Sequence, residues 1–204
     1  MEAQNPSLIK CNFFNGPIAD IYRALDGNSF VGAFILTFCL IDQLTWIEFG
    51  DKKYGYNEWI NKRLLPLDIR YADKAEELYS VRCGLVHAYG PSKQIINQKF
   101  LGYKLVWSNP ELHLQRINSN VLYISLYTLL TDTIYAAHLL FEEFKPLIPS
   151  EQVRRFKQQI GINRTDPPQL FGHMHAALGI FDRYYPVELN HVKSGYSHHV
   201  LWKA

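Results

Sequence analysis

An arginine and a histidine lie five residues apart in one amphipathic stretch of the chain, as Arg82 and His87. Histidine exchanges protons near pH 7, so it can serve as a general acid or a general base. The planar guanidinium of arginine donates paired hydrogen bonds to a phosphate and stabilises negative charge that develops there. These two residue types at this spacing therefore favour chemistry at a phosphate group.

The stretch that contains both residues, 71–89, is predicted to be a helix that stops before Gly90-Pro91. An ideal helix turns about 100° per residue, so Arg82 and His87 lie about 140° apart around its axis. Tyr89 is seven residues after Arg82 and lies on nearly the same side. A single regular helix does not bring Arg82 and His87 together, so their convergence requires a distorted last turn or a second copy of the chain.

Together the three residues form the pattern R-x4-H-x-Y, from Arg82 through His87 to Tyr89. This pattern lies late in an amphipathic helix, after a long apolar helix and before another long one. It resembles the motif of the HEPN superfamily, α-helical domains that occur in many bacterial RNases, toxins and defence proteins. The resemblance covers about residues 29–145 and implies a helical bundle that forms a homodimer with the two motif helices facing each other.

The resemblance also implies an activity, which is metal-independent cleavage of RNA by an endonuclease at the dimer interface. Arg82 would stabilise charge on the phosphate, and His87 would act as base or acid toward the 2′-OH or the leaving oxygen. No cofactor and no metal are expected. In the toxin branch, the tyrosine that matches Tyr89 is modified by a nucleotidyltransferase antitoxin, so a cognate antitoxin of a toxin–antitoxin or defence system is an expected partner besides RNA.

Two further residues bear on this resemblance. Many active members have a polar residue, often Asn, directly after the arginine. This chain has Cys83 at that position, and a cysteine side chain forms only weak hydrogen bonds. Asp42, in the long apolar helix, matches loosely the acidic residue that some members direct at the site. The alternative for Asp42 is a buried carboxylate bonded to a neighbour, because a buried charge needs a partner.

Two other functions are compatible with the same residues. The chain could be a non-catalytic HEPN-like module that binds RNA, a nucleotide or a protein, which Cys83 and the small net charge favour. It could also be a structural protein whose helices only dimerise. Binding without cleavage would select the first alternative, and a stable oligomer without affinity for RNA would select the second.

The composition of the chain indicates the class of protein and the compartment in which we expect it. Of the 204 residues, 48% are hydrophobic and 14% aromatic, which excludes global disorder. The net charge of +2 is too small to indicate a nucleic-acid coat protein, although it leaves room for a local basic patch. The three cysteines form no CxxC pair, so a reducing compartment is expected. The first residues lack a secretory signal, and the most apolar run, Phe30 to Ile41, is about 12 residues where a membrane span needs about 20. We therefore expect a cytoplasmic protein with no membrane contact.

The hydrophobic pattern predicts a mainly α fold, a HEPN-like helical bundle with a small β-hairpin insertion. We expect one domain over residues 1–204, with a core at about 17–148, a hairpin at about 99–117 and a carboxy-terminal extension at 149–204. Turn residues 108–111 separate the two predicted strands, 99–107 and 112–117. The predicted helices are 17–26, 29–49, 56–65, 71–89, 119–144 and 150–160.

Two further signals in the sequence are weaker. The last 44 residues are rich in histidine, and His173 and His175 could ligate a metal, although a solvated tail is the favoured interpretation because no cysteine or carboxylate pair lies at ligand spacing. Trp46, Trp59 and Trp107 could stack on RNA bases, but core packing is favoured because each indole buries a large area.

Overall fold

The computed structural model describes residues 14–50, 54–88, 102–117 and 121–143, together with Glu151 and Arg155. Within these residues the chain is mostly helical, which confirms the predicted helical class, and a small mixed sheet accompanies the helices. The helices are α1 Ala19–Asp26, α2 Phe30–Phe49, α3 Tyr54–Trp59, α4 Ala75–Ala88 and α5 Leu126–Glu143, and the strands are β1 Gly102–Val106, β2 Arg116–Ile117 and β3 Val121–Ser125. Short π-helical segments occupy Phe14–Ile18 and Ile60–Leu64, and 3-10 turns occupy Ile69–Tyr71 and Pro110–Leu112.

The chain divides into two compact units. One unit comprises residues 1–36 and 138–204, and its described part contains α1, the first turns of α2 and the last turns of α5. The other unit comprises residues 37–137 and contains the sheet, α3, α4 and the remaining turns of α2 and α5. The prediction of one domain over the whole chain stays a prediction.

Helix α2 was predicted from its apolar sequence, and the structure confirms it over Phe30–Phe49. By length and composition alone, this 20-residue helix could cross a membrane, although the apolar run counted in the sequence was shorter. However, 56% of its most apolar window is buried inside the protein, as in the core helix of a soluble protein. The expected cytoplasmic location stays a prediction.

Helix α3 approaches α2 closely at a glycine. A Cβ atom on Gly55 would lie only 2.9 Å from Cγ2 of Thr45 and 3.1 Å from Cβ of Phe49, so a larger residue would force the helices apart. Just beyond α3, the guanidinium of Arg63 donates to Glu48 on α2, with Nη2 2.6 Å from Oε1, and both side chains are buried. The close approach and the ion pair fix α3 and the following π-helical segment against α2.

Helix α4 begins later than predicted, at Ala75 instead of residue 71. The chain first makes a 3-10 turn that Asp68 caps, since its carboxylate accepts the backbone N–H of Arg70 at 2.9 Å. Asp73 then adopts a left-handed conformation with φ 58°, which separates the turn from the helix. From Ala75 the helix runs without a break to Ala88, so the described part of its last turn shows no distortion.

The β region differs from the predicted hairpin. Strand β3 is the middle strand and pairs in parallel with β1 and antiparallel with β2, so the two strands expected to pair with each other each pair with β3 instead. Residues 121–125 were predicted to be the start of a helix, which was wrong. The run Val-Leu-Tyr-Ile has no helical period, and an unbroken apolar run is compatible with a buried strand as well as a helix.

Helix α5 starts directly after β3, with Ser125 as its cap. The Ser125 hydroxyl accepts the backbone N–H of Thr128 at 3.4 Å, and the carbonyl of Trp107, just after β1, accepts the N–H of Tyr127 at 3.0 Å. Two of the donors that a helix start leaves open are thereby satisfied. The sheet therefore determines where α5 begins.

Part of the sequence prediction lies outside the described residues. Of the helix predicted at 150–160, Glu151 and Arg155 are described, and they are helical and form an ion pair at 3.1 Å. The rest of the carboxy-terminal extension, including His173 and His175, lies outside the described residues, as does Tyr89.

Candidate functional site

The candidate site is centred on an ion pair between two helices. Arg82 on α4 donates through Nε to Oδ2 of Asp42 on α2 at 2.7 Å, and its Nη2 donates to the same oxygen. The side chain of Asp42 is 7% exposed and that of Arg82 is 17% exposed. The prediction that Asp42 is a buried carboxylate bonded to a neighbour is thus confirmed, and the neighbour is the arginine of the R-x4-H pattern.

The third arm of the guanidinium contacts the next residue along the chain, Cys83. Nη1 of Arg82 donates to Sγ of Cys83 at 3.8 Å, a weak bond because sulfur is a poor acceptor. The Arg82 guanidinium also lies 6.0 Å from the centre of the Tyr79 ring, one helical turn earlier. Arg82 is therefore held from three directions, by a carboxylate, a thiol and an aromatic ring.

This environment keeps Arg82 charged. Burial by itself would lower the pKa of Arg82, but the negative charge of Asp42 and the hydrogen bonds to Asp42 and Cys83 outweigh it, so its pKa is raised above the usual value. A permanently charged, fixed guanidinium with one weakly bonded N–H arm can bind an anion such as a phosphate.

A buried tyrosine lies beside this ion pair. Tyr56 on α3 is fully buried, and its ring lies 5.2 Å from the ring of Tyr79 at an angle of 60°. Burial, and next the charge of Asp42, raise the pKa of Tyr56 well above its usual value, so the phenol stays neutral. Its hydroxyl has no hydrogen-bond partner among the described residues. The sequence analysis did not single out Tyr56, since an isolated tyrosine in a short helix gives no signal of its neighbours.

The histidine of the pattern lies elsewhere on α4. His87 is exposed in the last turn of the helix, whereas Arg82 is directed at α2. Within the described part of one chain, no hydrogen bond or ion pair joins the two residues. The structure therefore brings Arg82 together with Asp42 and Cys83 but leaves His87 apart from them. This agrees with the angle of about 140° that separates Arg82 from His87 on a regular helix.

A second buried polar cluster was missed by the sequence analysis. The ring of His113 is fully buried, its Nδ1 accepts the backbone N–H of Ser125 at 3.2 Å, and its Nε2 lies 3.1 Å from the hydroxyl of Tyr71. Since Nδ1 accepts a hydrogen bond, the proton is on Nε2, and the Tyr71 hydroxyl in turn donates to Oδ2 of Asp132 at 2.9 Å. These bonds tie the turn before α4 to β3 and α5.

The same cluster controls the charge of its histidine. Burial, and next the positive charge of Arg70, lower the pKa of His113 to about 3, so the ring is neutral at pH 7. A sequence signal existed in the alternation of Leu112, His113 and Leu114, which was interpreted only as a strand.

Metal binding has no support in the part of the chain that the structure describes, where no group of three or more His, Cys, Asp or Glu side chains could hold an ion. The histidines of the tail are not among those residues. Of the three tryptophans weighed for base stacking, Trp59 is fully buried and confirms core packing. Trp46 is half-buried, and Trp107 is 43% exposed, so core packing was the wrong expectation for Trp107.

Comparisons with known proteins add no family assignment, because no family model, no curated protein and no solved structure matches the chain. The resemblance to HEPN proteins therefore depends on the R-x4-H-x-Y pattern and on its place among the helices.

Proposed function

We propose that the chain is a HEPN-type, metal-independent RNA endonuclease whose active site combines Arg82 of one copy with His87 of another. The observation that supports this most is the Arg82–Asp42 ion pair, which fixes the arginine of the pattern and keeps it charged. An arginine that served only to make the helix surface soluble would be expected to extend into solvent, where ion pairs contribute little.

The proposed reaction needs two groups from the protein. His87 removes the proton from a 2′-OH, whose oxygen attacks the neighbouring phosphorus. The bond from phosphorus to the 5′ oxygen breaks, that oxygen takes up a proton from water, and His87 later releases its proton to the solvent. The products are a 2′,3′-cyclic phosphate and a 5′-hydroxyl. Arg82 stabilises the negative charge that accumulates on the phosphate oxygens as the attack proceeds.

The need for two copies follows from the geometry of α4. Arg82 is directed at Asp42 and His87 is exposed about 140° further around the same regular helix. A two-fold axis beside α4 places the exposed His87 of one copy near Arg82 of the other, since such an axis makes the contacts reciprocal. A homodimer is accordingly part of the proposal, and modification of Tyr89 by an antitoxin within a toxin–antitoxin or defence system stays a prediction.

A second candidate function is favoured by the same ion pair. Asp42 neutralises part of the positive charge of Arg82. Cys83, a weak hydrogen-bonding residue, stands where many active HEPN proteins have a polar side chain. Such a site could bind RNA, a nucleotide or a protein without cutting a phosphodiester bond. The two candidates differ in one outcome, which is whether RNA is cleaved.

The test is a cleavage assay on a labelled single-stranded RNA in the presence of EDTA. We expect cleavage by the unmodified protein and losses of at least about a hundredfold in Arg82→Ala and in His87→Ala, each assayed at a temperature at which circular dichroism shows the variant to be folded. Glu76→Ala serves as the control, because Glu76 is an exposed charged residue on the same helix with no proposed role. Binding of the RNA without cleavage would select the non-catalytic module, and cleavage that survives both substitutions would exclude the proposed mechanism.

A further inference from the structure

A free thiol lies beside the guanidinium of the candidate site. Cys83 forms no disulfide, and it is half-buried, so a small solute can approach it from the solvent. Nη1 of Arg82 lies 3.8 Å from its sulfur and has no other acceptor among the described residues. Because sulfur accepts hydrogen bonds weakly, Nη1 is bonded less well than the Nε and Nη2 groups, which donate to Asp42.

The hydroxyl of a tyrosine bonds to the same sulfur. Tyr79 lies one helical turn before Cys83 on α4, so the two side chains are neighbours on the surface of the helix. Burial, and next the charge of Cys83 and a hydrogen bond to its side chain, raise the pKa of Tyr79. The phenol of Tyr79 is therefore protonated at neutral pH and donates to the sulfur.

A second phenol lies behind the first. The ring of Tyr56 packs against the ring of Tyr79, and the charges of Arg82 and Cys83 both act on the Tyr56 hydroxyl. That hydroxyl is fully buried and has no hydrogen-bond partner among the described residues. A buried donor without a partner is unfavourable, so the site would be more stable with an additional acceptor.

The sulfur of Cys83 is thus next to donors that have no oxygen to bond. Nη1 of Arg82 and the hydroxyl of Tyr79 donate to sulfur, and the hydroxyl of Tyr56 has no partner in the part of the chain that the structure describes. An oxygen atom bonded to the sulfur would supply the missing acceptor. Hydrogen bonds to oxygen are shorter and stronger than those to sulfur, so these donors favour an oxidised form of the thiol.

We propose that Cys83 is a site of reversible oxidation by hydrogen peroxide, and that Arg82 and Tyr79 hold the resulting sulfenic acid by hydrogen bonds to its oxygen. The thiol gives up its proton, the sulfur attacks one oxygen of the peroxide, and an S–O bond forms as the O–O bond breaks. The sulfur gives two electrons to the peroxide, and the departing hydroxide combines with the thiol proton to leave as water. The guanidinium assists, because the thiolate is the form of sulfur that attacks and a cation attracts its negative charge.

Oxidation at this position has a consequence for the proposed nuclease. The oxygen of the sulfenic acid bonds to Nη1 of Arg82, which is the arm left for a phosphate. Peroxide is therefore expected to stop RNA cleavage, and a thiol reductant is expected to restore it, because a sulfenic acid is reducible. The modification itself does not depend on the proposed function, whereas this consequence rests on it.

The chain contains a reference thiol for the experiment, because Cys39 on α2 is also free and half-buried. The folded protein is treated with hydrogen peroxide in the presence of dimedone, which traps sulfenic acids, and the labelled fraction of each cysteine is measured by peptide mass spectrometry. The same reaction in urea gives the labelling of each cysteine in the unfolded chain. We expect the ratio of folded to unfolded labelling to be at least about fivefold higher for Cys83 than for Cys39.

Two variants separate the hydrogen bonds from simple access to the sulfur. Tyr79→Phe keeps the ring and removes the hydroxyl, and Arg82→Lys keeps the positive charge and removes the Nη1 arm. Each variant, folded by circular dichroism, is expected to lower the labelling of Cys83 by about fivefold, the effect of one lost hydrogen bond, and to leave Cys39 unchanged. Lys104→Ala, which removes an exposed positive charge on β1, is the control and is expected to leave Cys83 labelling unchanged. Labelling of Cys83 that does not exceed that of Cys39, or that is unchanged in Tyr79→Phe, would overturn the proposal.

The modification and the proposed nuclease fail in different ways. If Cys83 is labelled as expected but the untreated protein never cleaves RNA, the modification stands and the nuclease is rejected. If the untreated protein cleaves RNA and Cys83 is labelled no more than Cys39, the nuclease stands and the modification is rejected. Where both stand, peroxide should lower cleavage by at least about tenfold in the unmodified protein and leave the cleavage by Cys83→Ser as it was before treatment. Cleavage by the unmodified protein that persists while Cys83 is oxidised would show that Nη1 is not the arm that binds the phosphate.

Discussion

Arg82 donates through Nε and Nη2 to one carboxylate oxygen, Oδ2 of Asp42, although the two residues are 40 positions apart in sequence. The pair joins α4 to α2 and leaves Nη1 directed at Cys83. It has two consequences that can be measured, since it stabilises the contact between the helices and fixes the guanidinium that the proposed reaction uses.

Removal of either partner of this pair is expected to destabilise the protein. Asp42→Ala leaves a largely buried guanidinium without its counter-charge, which costs about 3 kcal/mol of the free energy of unfolding. The double variant Asp42→Ala, Arg82→Ala is expected to lose at least about 1 kcal/mol less than the sum of the two single variants, because the second substitution removes the stranded charge. Urea unfolding of the four proteins measures this coupling, and additive losses would show that the ion pair contributes nothing.

Two buried tyrosines are expected to respond in opposite ways to loss of the hydroxyl. Tyr56 has a hydroxyl without a partner among the described residues, so Tyr56→Phe is expected to leave stability unchanged or raise it by about 1 kcal/mol. The Tyr71 hydroxyl is hydrogen-bonded to both His113 and Asp132, so Tyr71→Phe is expected to lower the free energy of unfolding by about 2 kcal/mol. Chemical unfolding of the two variants provides the comparison, and an equal loss in both would mean that the Tyr56 hydroxyl has a bonding partner of its own.

The buried His113 predicts a dependence of stability on pH. Its pKa is lowered to about 3 in the folded protein, whereas an unfolded chain has a histidine pKa of about 6.5. Below pH 6.5 the unfolded state takes up a proton that the folded state does not, so stability falls as the pH decreases from about 6.5 toward 3. Between pH 7 and pH 5 the unmodified protein should lose about 2 kcal/mol more than His113→Gln, which cannot be protonated in this range.

Comparing the unmodified protein with His113→Gln cancels the contributions that other titrating groups make to the pH dependence of stability. Burial would raise the pKa of Asp68, but hydrogen bonds from Arg70 lower it overall, so the stability that Asp68 contributes is present above its unfolded pKa of about 3.8 and is lost only below that value. Between pH 7 and pH 5 the contribution of Asp68 to stability therefore does not change. Parallel stability curves for the two proteins would show that His113 is not kept neutral by burial.

The sequence predicted the parts of the fold that depend on local patterns. The apolar run of α2 was sufficient to predict a buried helix, and the rule that buried charges are paired was sufficient to predict a partner for Asp42. The identity of that partner was beyond local reasoning, because Arg82 is 40 residues away and the contact is made by tertiary packing.

The β region shows where local patterns fail. Residues 121–125 are apolar without a helical period, and only their pairing with β1 and β2 makes them a strand. Trp107 was expected in the core from its size, yet the turn after β1 leaves it exposed. His113 was interpreted as one residue of an alternating strand, although Leu114 adopts a left-handed conformation with φ 58° and no regular strand includes it.

The most direct test of the proposed active site mixes two inactive variants. Arg82→Ala and His87→Ala are denatured and refolded together at equal concentration, so that half of the dimers are mixed. In a mixed dimer one of the two composite sites has both an intact Arg82 and an intact His87, and the mixture should recover about a quarter of the RNA cleavage of the unmodified protein. Each variant alone should stay inactive. If mixed dimers form, as shown by mass spectrometry with one variant isotopically labelled, and no cleavage returns, the two residues do not act across a dimer interface and the central claim is contradicted.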